Sequence, residues 1–163
     1  MEDSLLIADA STLLNFLRVR RFDLVQGLGY RVRIVHAVYE EVQSERALLD
    51  ELLEQGTIRT LILEGAVITE SVAKFLALGL GSGESFSFAA AIEFKGAIAI
   101  DDVRAVKKAK YLTAGITVVT STDVVVAGIT SGRLSVEEAD LLKSYWEENH
   151  RFRLKVKSFR DLL

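Results

Sequence analysis

This sequence predicts an α/β fold in which an open, mainly parallel sheet is covered by helices on both faces, and three observations predict it. Short, nearly continuous apolar runs recur along the chain, they alternate with stretches of helical periodicity, and no repeat, low-complexity tract or Pro/Gly/Ser linker divides them. The run at 5–8 is the first strand, ending at Asp9, and Ser11 opens a helical pattern carried by Leu13, Leu14, Leu17, Leu24 and Val25. Residues 31–35 form the second strand; Val38, Val42, Leu48, Leu49, Leu52 and Leu53 then mark a helix that Gly56 stops, and 58–63 reads as a short extra strand. Helices over 70–78 and 82–94 flank the breaker Gly79-Leu80-Gly81-Ser82-Gly83. A buried strand at 97–100 ends at Asp101-Asp102, and a basic helix runs on through Ala114. Residues 116–119 form the last strand, closed by Thr120-Ser121-Thr122-Asp123 ahead of a helix at 124–129. A helix over 135–148 and a mixed tail complete the chain.

At 163 residues, half of them apolar, the chain is long enough to bury a substantial core, so disorder is excluded and one domain over 1–163 is expected, its tail from about 150 packing on it or extending from it. The absence of cysteine removes disulfides, zinc–thiolate sites, iron–sulfur clusters and a thiol nucleophile. Oxygen-based chemistry remains. Glu2 and Asp3 precede the first apolar run where a secretory signal needs basic residues, and Glu93 and Lys95 interrupt the most apolar later stretch, so a cytoplasmic protein without a membrane span is expected. The 20 basic residues against 23 acidic ones lack the excess that marks many nucleic-acid binders. Basic charge is nevertheless concentrated locally, at Arg104, Lys107, Lys108 and Lys110 and again over 143–163. Solvated helix faces would explain these clusters equally simply.

Right-handed crossovers bring the carboxyl ends of parallel strands to one edge of the sheet, where ligands bind. Asp9, Asp101, Asp102 and Asp123 all follow strands, Glu84 opens a helix, and Glu41 can reach the same cleft from the helix after the second strand. Carboxylates gathered in one cleft repel one another, and a hard divalent cation with oxygen ligands, Mg²⁺ or Mn²⁺, resolves the repulsion. Such ions promote phosphodiester hydrolysis. Taken singly, these acids have an ordinary explanation as helix caps and first-turn residues, and Glu41 as a helix-surface acid beside Glu40; their common edge is what favours function.

The motifs resemble those of PIN domains, particularly the small prokaryotic VapC-like group. Leu6-Ile7-Ala8-Asp9-Ala10-Ser11 resembles the opening strand end of that family, Val38-Tyr39-Glu40-Glu41-Val42 its Val-x-x-Glu-Val helix, Gly83-Glu84-Ser85 its Gly-Glu-Ala helix start, and Ile100-Asp101-Asp102 its Asp-Asp strand end. The resemblance implies a PIN-like three-layer α/β/α sandwich and a metal-dependent ribonuclease. It implies metal-binding acids at Asp9, Glu41, Glu84 and Asp101, the last preferred over Asp102, with Asp102 and Asp123 as auxiliary ligands. Ser11 would orient the first acid, with Ser121 also orienting, and Arg104, Lys107, Lys108 and Lys110 would hold RNA. The chain departs from the family pattern at Ser121-Thr122-Asp123, where a Gly-Thr turn or a further acid is usual, and in lacking a proline before the Val-x-x-Glu helix. A homodimer and a small antitoxin partner are implied by the resemblance alone, and the reading from another class is a catalytically weak nucleic-acid-binding or toxin–antitoxin interaction module.

Other signals carry less. Gly79 to Ser85 lacks the Gly-Lys-Ser/Thr ending of a phosphate loop, and His36 and His150 are too dispersed for a histidine metal site or a catalytic triad. Tyr145 and Trp146 read as core packing rather than base stacking. Asp9-Ala10-Ser11 lacks the second acid of an Asp-x-Asp phosphatase, and no lysine follows Val119 as a phospho-receiver domain requires.

Overall fold

The computed structural model describes residues 4–163, so Glu2 and Asp3 lie outside the described residues. Five strands, β1 (Leu5–Ala8), β2 (Arg31–Val35), β3 (Ile58–Leu61), β4 (Ala97–Ala99) and β5 (Val118–Val119), form one sheet in the order β3-β2-β1-β4-β5. Every pairing is parallel. Leu6, Ile7, Val32, Ile34, Ile98 and Ala99 are buried, and helices complete a three-layer α/β/α sandwich.

The helices are α1 (Ala10–Arg18), α2 (Phe22–Gln26), α3 (His36–Glu41), α4 (Arg46–Glu54), α5 (Ala66–Ala77), α6 (Ser82–Glu93), α7 (Val103–Ala109), α8 (Ser121–Thr130) and α9 (Val136–His150), with a 3₁₀ turn at Phe159–Leu162. Packed against β1, β2 and β4, α6 also meets α3 and α5. Its buried face is Phe88 and the alanines 89–91, small residues that let a helix lie close to the sheet, and Phe88 stacks on Phe75 of α5 at 5.3 Å between ring centres. A second helix group links α1, α2, α8 and α9. At 158–159 the tail folds back onto α9, where Asp140 accepts bonds from the Ser158 hydroxyl and the Phe159 amide.

Several boundaries differ from the periodicity, each for a local reason. The helix expected over 38–53 is two helices, because Glu45 adopts the left-handed conformation at φ 58° and Arg46 donates to the carbonyls of Val42 and Tyr39 that end α3. Its guanidinium also lies over the Tyr39 ring at 3.8 Å. The first helical pattern likewise splits at Arg20, φ 54°, into α1 and α2. The basic helix stops at Ala109 rather than Ala114, β5 is only two residues long, and α5 starts at Ala66.

Trp146 joins the helix group to the site-bearing α1. Fully buried, it packs edge-on against Phe16 and Phe152 and donates its indole N–H to the Asn15 carbonyl at 2.9 Å. Trp146→Phe keeps most of the apolar area but orphans that carbonyl, so a loss of about 1–3 kcal/mol is expected in urea unfolding.

Candidate active site

The strand order reverses at β1, whose neighbours are β2 on one side and β4 on the other. At such a switch point the loops after adjacent strands diverge and leave a crevice. Asp9 follows β1 there, and its amide donates to the Ala99 carbonyl of β4 at 2.9 Å. It occupies the N-cap position of α1, yet its side chain makes no capping bond. Oδ2 accepts from the Ser11 hydroxyl at 3.1 Å, whereas Oδ1 is buried without a hydrogen-bond partner. The residue is only 4% exposed. Burial pushes this carboxyl up to about 6; the Ser11 hydroxyl and the nearby amides of Ser11 and Ala10 act downward, and the Glu41 charge adds to the rise.

Glu84 lies in the first turn of α6 and is half-buried. Burial, a proton shared with Asp102, and the charges of Asp102 and Asp9 push it up to about 7, while the Gly81 amide acts downward. Asp102 moves the other way. Burial acts upward on it, but the Ala105 amide, Glu84, and the amide and charge of Arg104 outweigh that and hold it below the usual carboxylate range. It also caps α7, accepting from the Ala105 amide at 3.0 Å. Opposite shifts in two neighbouring carboxyl groups are what acids close enough to oppose each other's ionisation produce.

Glu41 ends α3, where an acid meets the negative end of its own helix. The first turn of α6 compensates: the Gly83 amide donates to Glu41 Oε1 at 2.9 Å. A Cβ on residue 83 would stand 2.6 Å from both Glu41 carboxylate oxygens, so a side chain there would push Glu41 out of this position.

Asp101 has a different environment from Asp102. Its Oδ1 accepts from the Ser121 amide at 2.8 Å, and its Oδ2 from the hydroxyls of Ser121 and Thr12 at 2.5 and 2.9 Å and the Asn15 amide at 3.3 Å. Asn15 also donates to the Ser121 hydroxyl at 3.1 Å. The Asp101 amide in turn donates to Ser11 Oγ at 3.3 Å. The carboxylate preferred as a ligand on sequence is thus bonded to α1 and α8, and Asp102 is the one whose charge acts on Glu84. Asp123 is exposed and closes a capping box, its Oδ2 accepting from the Thr120 amide and hydroxyl at 2.8 and 2.9 Å. Ser11 contacts Asp9, and Ser121 contacts Asp101.

The fold therefore brings Asp9, Glu41, Glu84 and Asp102 into one electrostatic group, with Asp101 alongside but turned toward α1 and α8. As the side chains stand, no three His, Asp or Glu groups among the described residues are arranged to hold a metal ion. The donor chemistry nevertheless fits a hard cation: Asp9 Oδ1 has no partner, and the charge of Asp102 raises Glu84, a repulsion that a cation would relieve. Arg104, Lys107, Lys108 and Lys110 are exposed on and just after α7, whose N-cap is Asp102, so positive charge starts at the rim of the acids. Thr12 and Asn15 escaped the sequence reading; both are buried polar residues three apart within the apolar stripe of α1, and that interruption was their signal.

Two acids of this site should have opposite effects on stability. With divalent cations chelated, both Asp9 and Glu84 carry raised values, so the native state holds more protons than the unfolded chain between their ordinary and raised values. Stability should fall as pH rises from about 4 to about 7, by about 3 kcal/mol for Asp9 alone. Asp9→Asn should flatten that fall and be more stable than the wild type at neutral pH. Asp101→Ala instead orphans the donors of Thr12, Asn15 and Ser121 and should lose at least about 3 kcal/mol. Denaturant midpoints across the pH series measure both effects.

A family model described as a PIN domain matches residues 5–163. No curated protein matches the chain. PIN domains are generally nucleases.

Proposed function

The chain belongs to the PIN-domain family, and from that premise we propose that it is a divalent-metal-dependent ribonuclease whose active site is the acidic group at the β1–β4 switch point. The observation that carries this reading is Asp9: a buried carboxylate with one oxygen unpartnered, next to a Glu84–Asp102 pair that cannot ionise fully by itself. Buried polar atoms are almost always paired, so an unpaired one at a sheet's ligand-binding edge marks a missing partner. PIN domains typically use divalent metal ions. Asp9, Glu84 and Asp102 would hold Mg²⁺ or Mn²⁺, with Glu41 completing the set and Asp123 outside it. When bound, such an ion supplies Lewis-acid polarisation of a phosphodiester and of the attacking water.

The chain's own residues do the rest. Ser11 donates to Asp9 Oδ2 and so fixes the orientation of that carboxyl, leaving Oδ1 for the ion. Asp101 locks α1 and α8 to the end of β4 and thereby sets the direction of Asp102. The Gly83 amide holds Glu41 toward α6. Glu84, raised to about 7 beside Asp102, would give up its proton when the ion binds, so ion binding should release protons near neutral pH. Lys107, Lys108 and Arg104 hold the RNA backbone beside the acids. The resemblance to VapC-like proteins supports a further role as the toxin of a toxin–antitoxin pair, inhibited by a small antitoxin. Exposed apolar side chains of α5, α6 and the segment after α7, among them Val67, Leu76, Ile92, Phe94 and Leu112, support a homodimer.

A second reading, a nucleic-acid-binding or interaction module with weak turnover, is favoured by one observation: as placed, the acids do not form a ready three-ligand site. Mn²⁺ titration with an RNA substrate separates the two. The wild type should bind the ion and cleave, and Asp9→Asn should retain its fold and lose cleavage by at least about 100-fold, given the several kcal/mol such ions contribute. RNA binding without cleavage at saturating Mn²⁺ would establish the module instead. Gly83→Ala, which displaces Glu41, should weaken the ion with little change in RNA affinity.

A further inference from the structure

Strands of a parallel sheet covered on both faces read as continuous apolar runs, and β2 does not. Its sequence alternates, Arg31-Val32-Arg33-Ile34-Val35. Val32 and Ile34 are buried, while Arg31 and Arg33 stand on the opposite face, and Arg59 of the edge strand β3 lies in direct register with Arg33. Like charges opposed on neighbouring strands destabilise a sheet. Burial, followed by the charges of Arg31 and Arg59, pulls the Arg33 guanidinium below its ordinary value. Arg33 donates to its neighbour's carbonyl, that of Val32, at 2.9 Å, and among the described residues no acid forms an ion pair with Arg33 or Arg59.

The three arginines line a cleft of about 450 Å³ with Gln26, Tyr30 and Thr57, and no acid contributes to the described lining. It lies at the amino ends of β2 and β3. Arg31 is in register with Leu5, four residues before Asp9, which places the cleft about 13 Å from the acids along the strand direction, at roughly 3.3 Å per residue.

We infer that this cleft is a phosphate-binding exosite in which Arg33 and Arg59, with Arg31 beside them, hold backbone phosphates of the RNA strand away from the bond being cut. The inference rests on the ribonuclease reading and adds to it a second anchoring point. Guanidinium forks match phosphate oxygens two at a time, and forks on adjacent strands, about 4.8 Å apart, suit a run of phosphates. The Tyr30 ring in the same lining offers a surface for a base. An acidic protein segment fits less well, because the lining lacks the apolar pocket that anchors protein interfaces.

The test compares the full-length wild type with Arg33→Gln/Arg59→Gln, using a labelled single-stranded RNA in EDTA so that nothing is cut. Affinity should fall, and the slope of log K against log salt should shrink by about 1.4, at roughly 0.7 per phosphate contact on a single strand. Arg33→Lys/Arg59→Lys, which keeps the charge, should recover most of the slope. Inorganic phosphate, against chloride of equal ionic strength, should raise the melting temperature of the wild type more than that of the Gln variant. Melting at or above the wild-type temperature without phosphate would show that the Gln variant folds, and Arg59→Gln alone, at an exposed position, serves if it does not.

An RNA slope unchanged by the Gln substitutions overturns the exosite. So does a phosphate-dependent melting shift without any effect on RNA, which would make the cleft a site for free phosphate or a small phosphate ester. Binding of a polyglutamate peptide lost in the Gln variant, with RNA binding intact, would likewise replace it with a protein-docking site. Mn²⁺-dependent cleavage of a dinucleotide too short to reach the cleft should be equal in wild type and variant; its absence in both would remove the ribonuclease reading while the phosphate titration still decides the cleft.

Discussion

The Asp101 carboxylate ties together three segments that are far apart in the chain: the end of β4, the first turns of α1 through Thr12 and Asn15, and the start of α8 through Ser121. A carboxylate with this many donors is fixed in place and makes a good hinge pin for its surroundings. With it in place, α1 cannot swing away from β4, so Asp9 at the start of α1 and Asp102 at the start of α7 are held on either side of one crevice. Ser11 completes the link, contacting Asp9 with its hydroxyl while accepting the Asp101 amide.

Around this pin the molecule assembles a charge imbalance that it does not neutralise internally. Glu41 bears on Asp9, and Asp9 and Asp102 bear on Glu84, so that Asp9 and Glu84 are raised into or near the neutral range. The helix ends soften the repulsion: the first turn of α6 receives Glu41 through the Gly83 amide, and the start of α7 receives Asp102 through that of Ala105. What remains is a group of acids, two of them with raised values, bordered by the positive charges of α7. The arrangement is costly for folding, and a charge cluster kept at such a cost is what a functional site looks like.

Much of this was readable in the order of residues. Asp9, Glu84 and the Asp101-Asp102 pair stand at element boundaries that apolar runs make visible, and parallel topology then sends those boundaries to one edge. The different surroundings of Asp101 and Asp102 were not readable. In extended backbone, successive side chains point to opposite sides, so the two neighbours could not share one direction, and which of them faced the crevice depended on where α1 and α8 packed. Asp123 shows the same limit in reverse: its spacing from Thr120 suits a capping box as well as a ligand, and the capping box is what forms. The division of the 38–53 helix was hidden too, because the left-handed turn at Glu45 and the capping guanidinium of Arg46 leave the apolar periodicity unbroken across it.

By itself, then, the sequence determined the alternation of strands and helices, the residues at the strand ends and the supply of oxygen ligands, since hydrophobic periodicity and residue chemistry are local properties of the chain. Only the tertiary structure decided which oxygens are already satisfied. Donors for Asp101 come from positions 12, 15 and 121, and Asp9 Oδ1 is left unpaired by a burial that no local pattern records. Hydrogen-bond saturation and desolvation are set by what lies across space, and that is known only once the sheet and its helices have closed around the site.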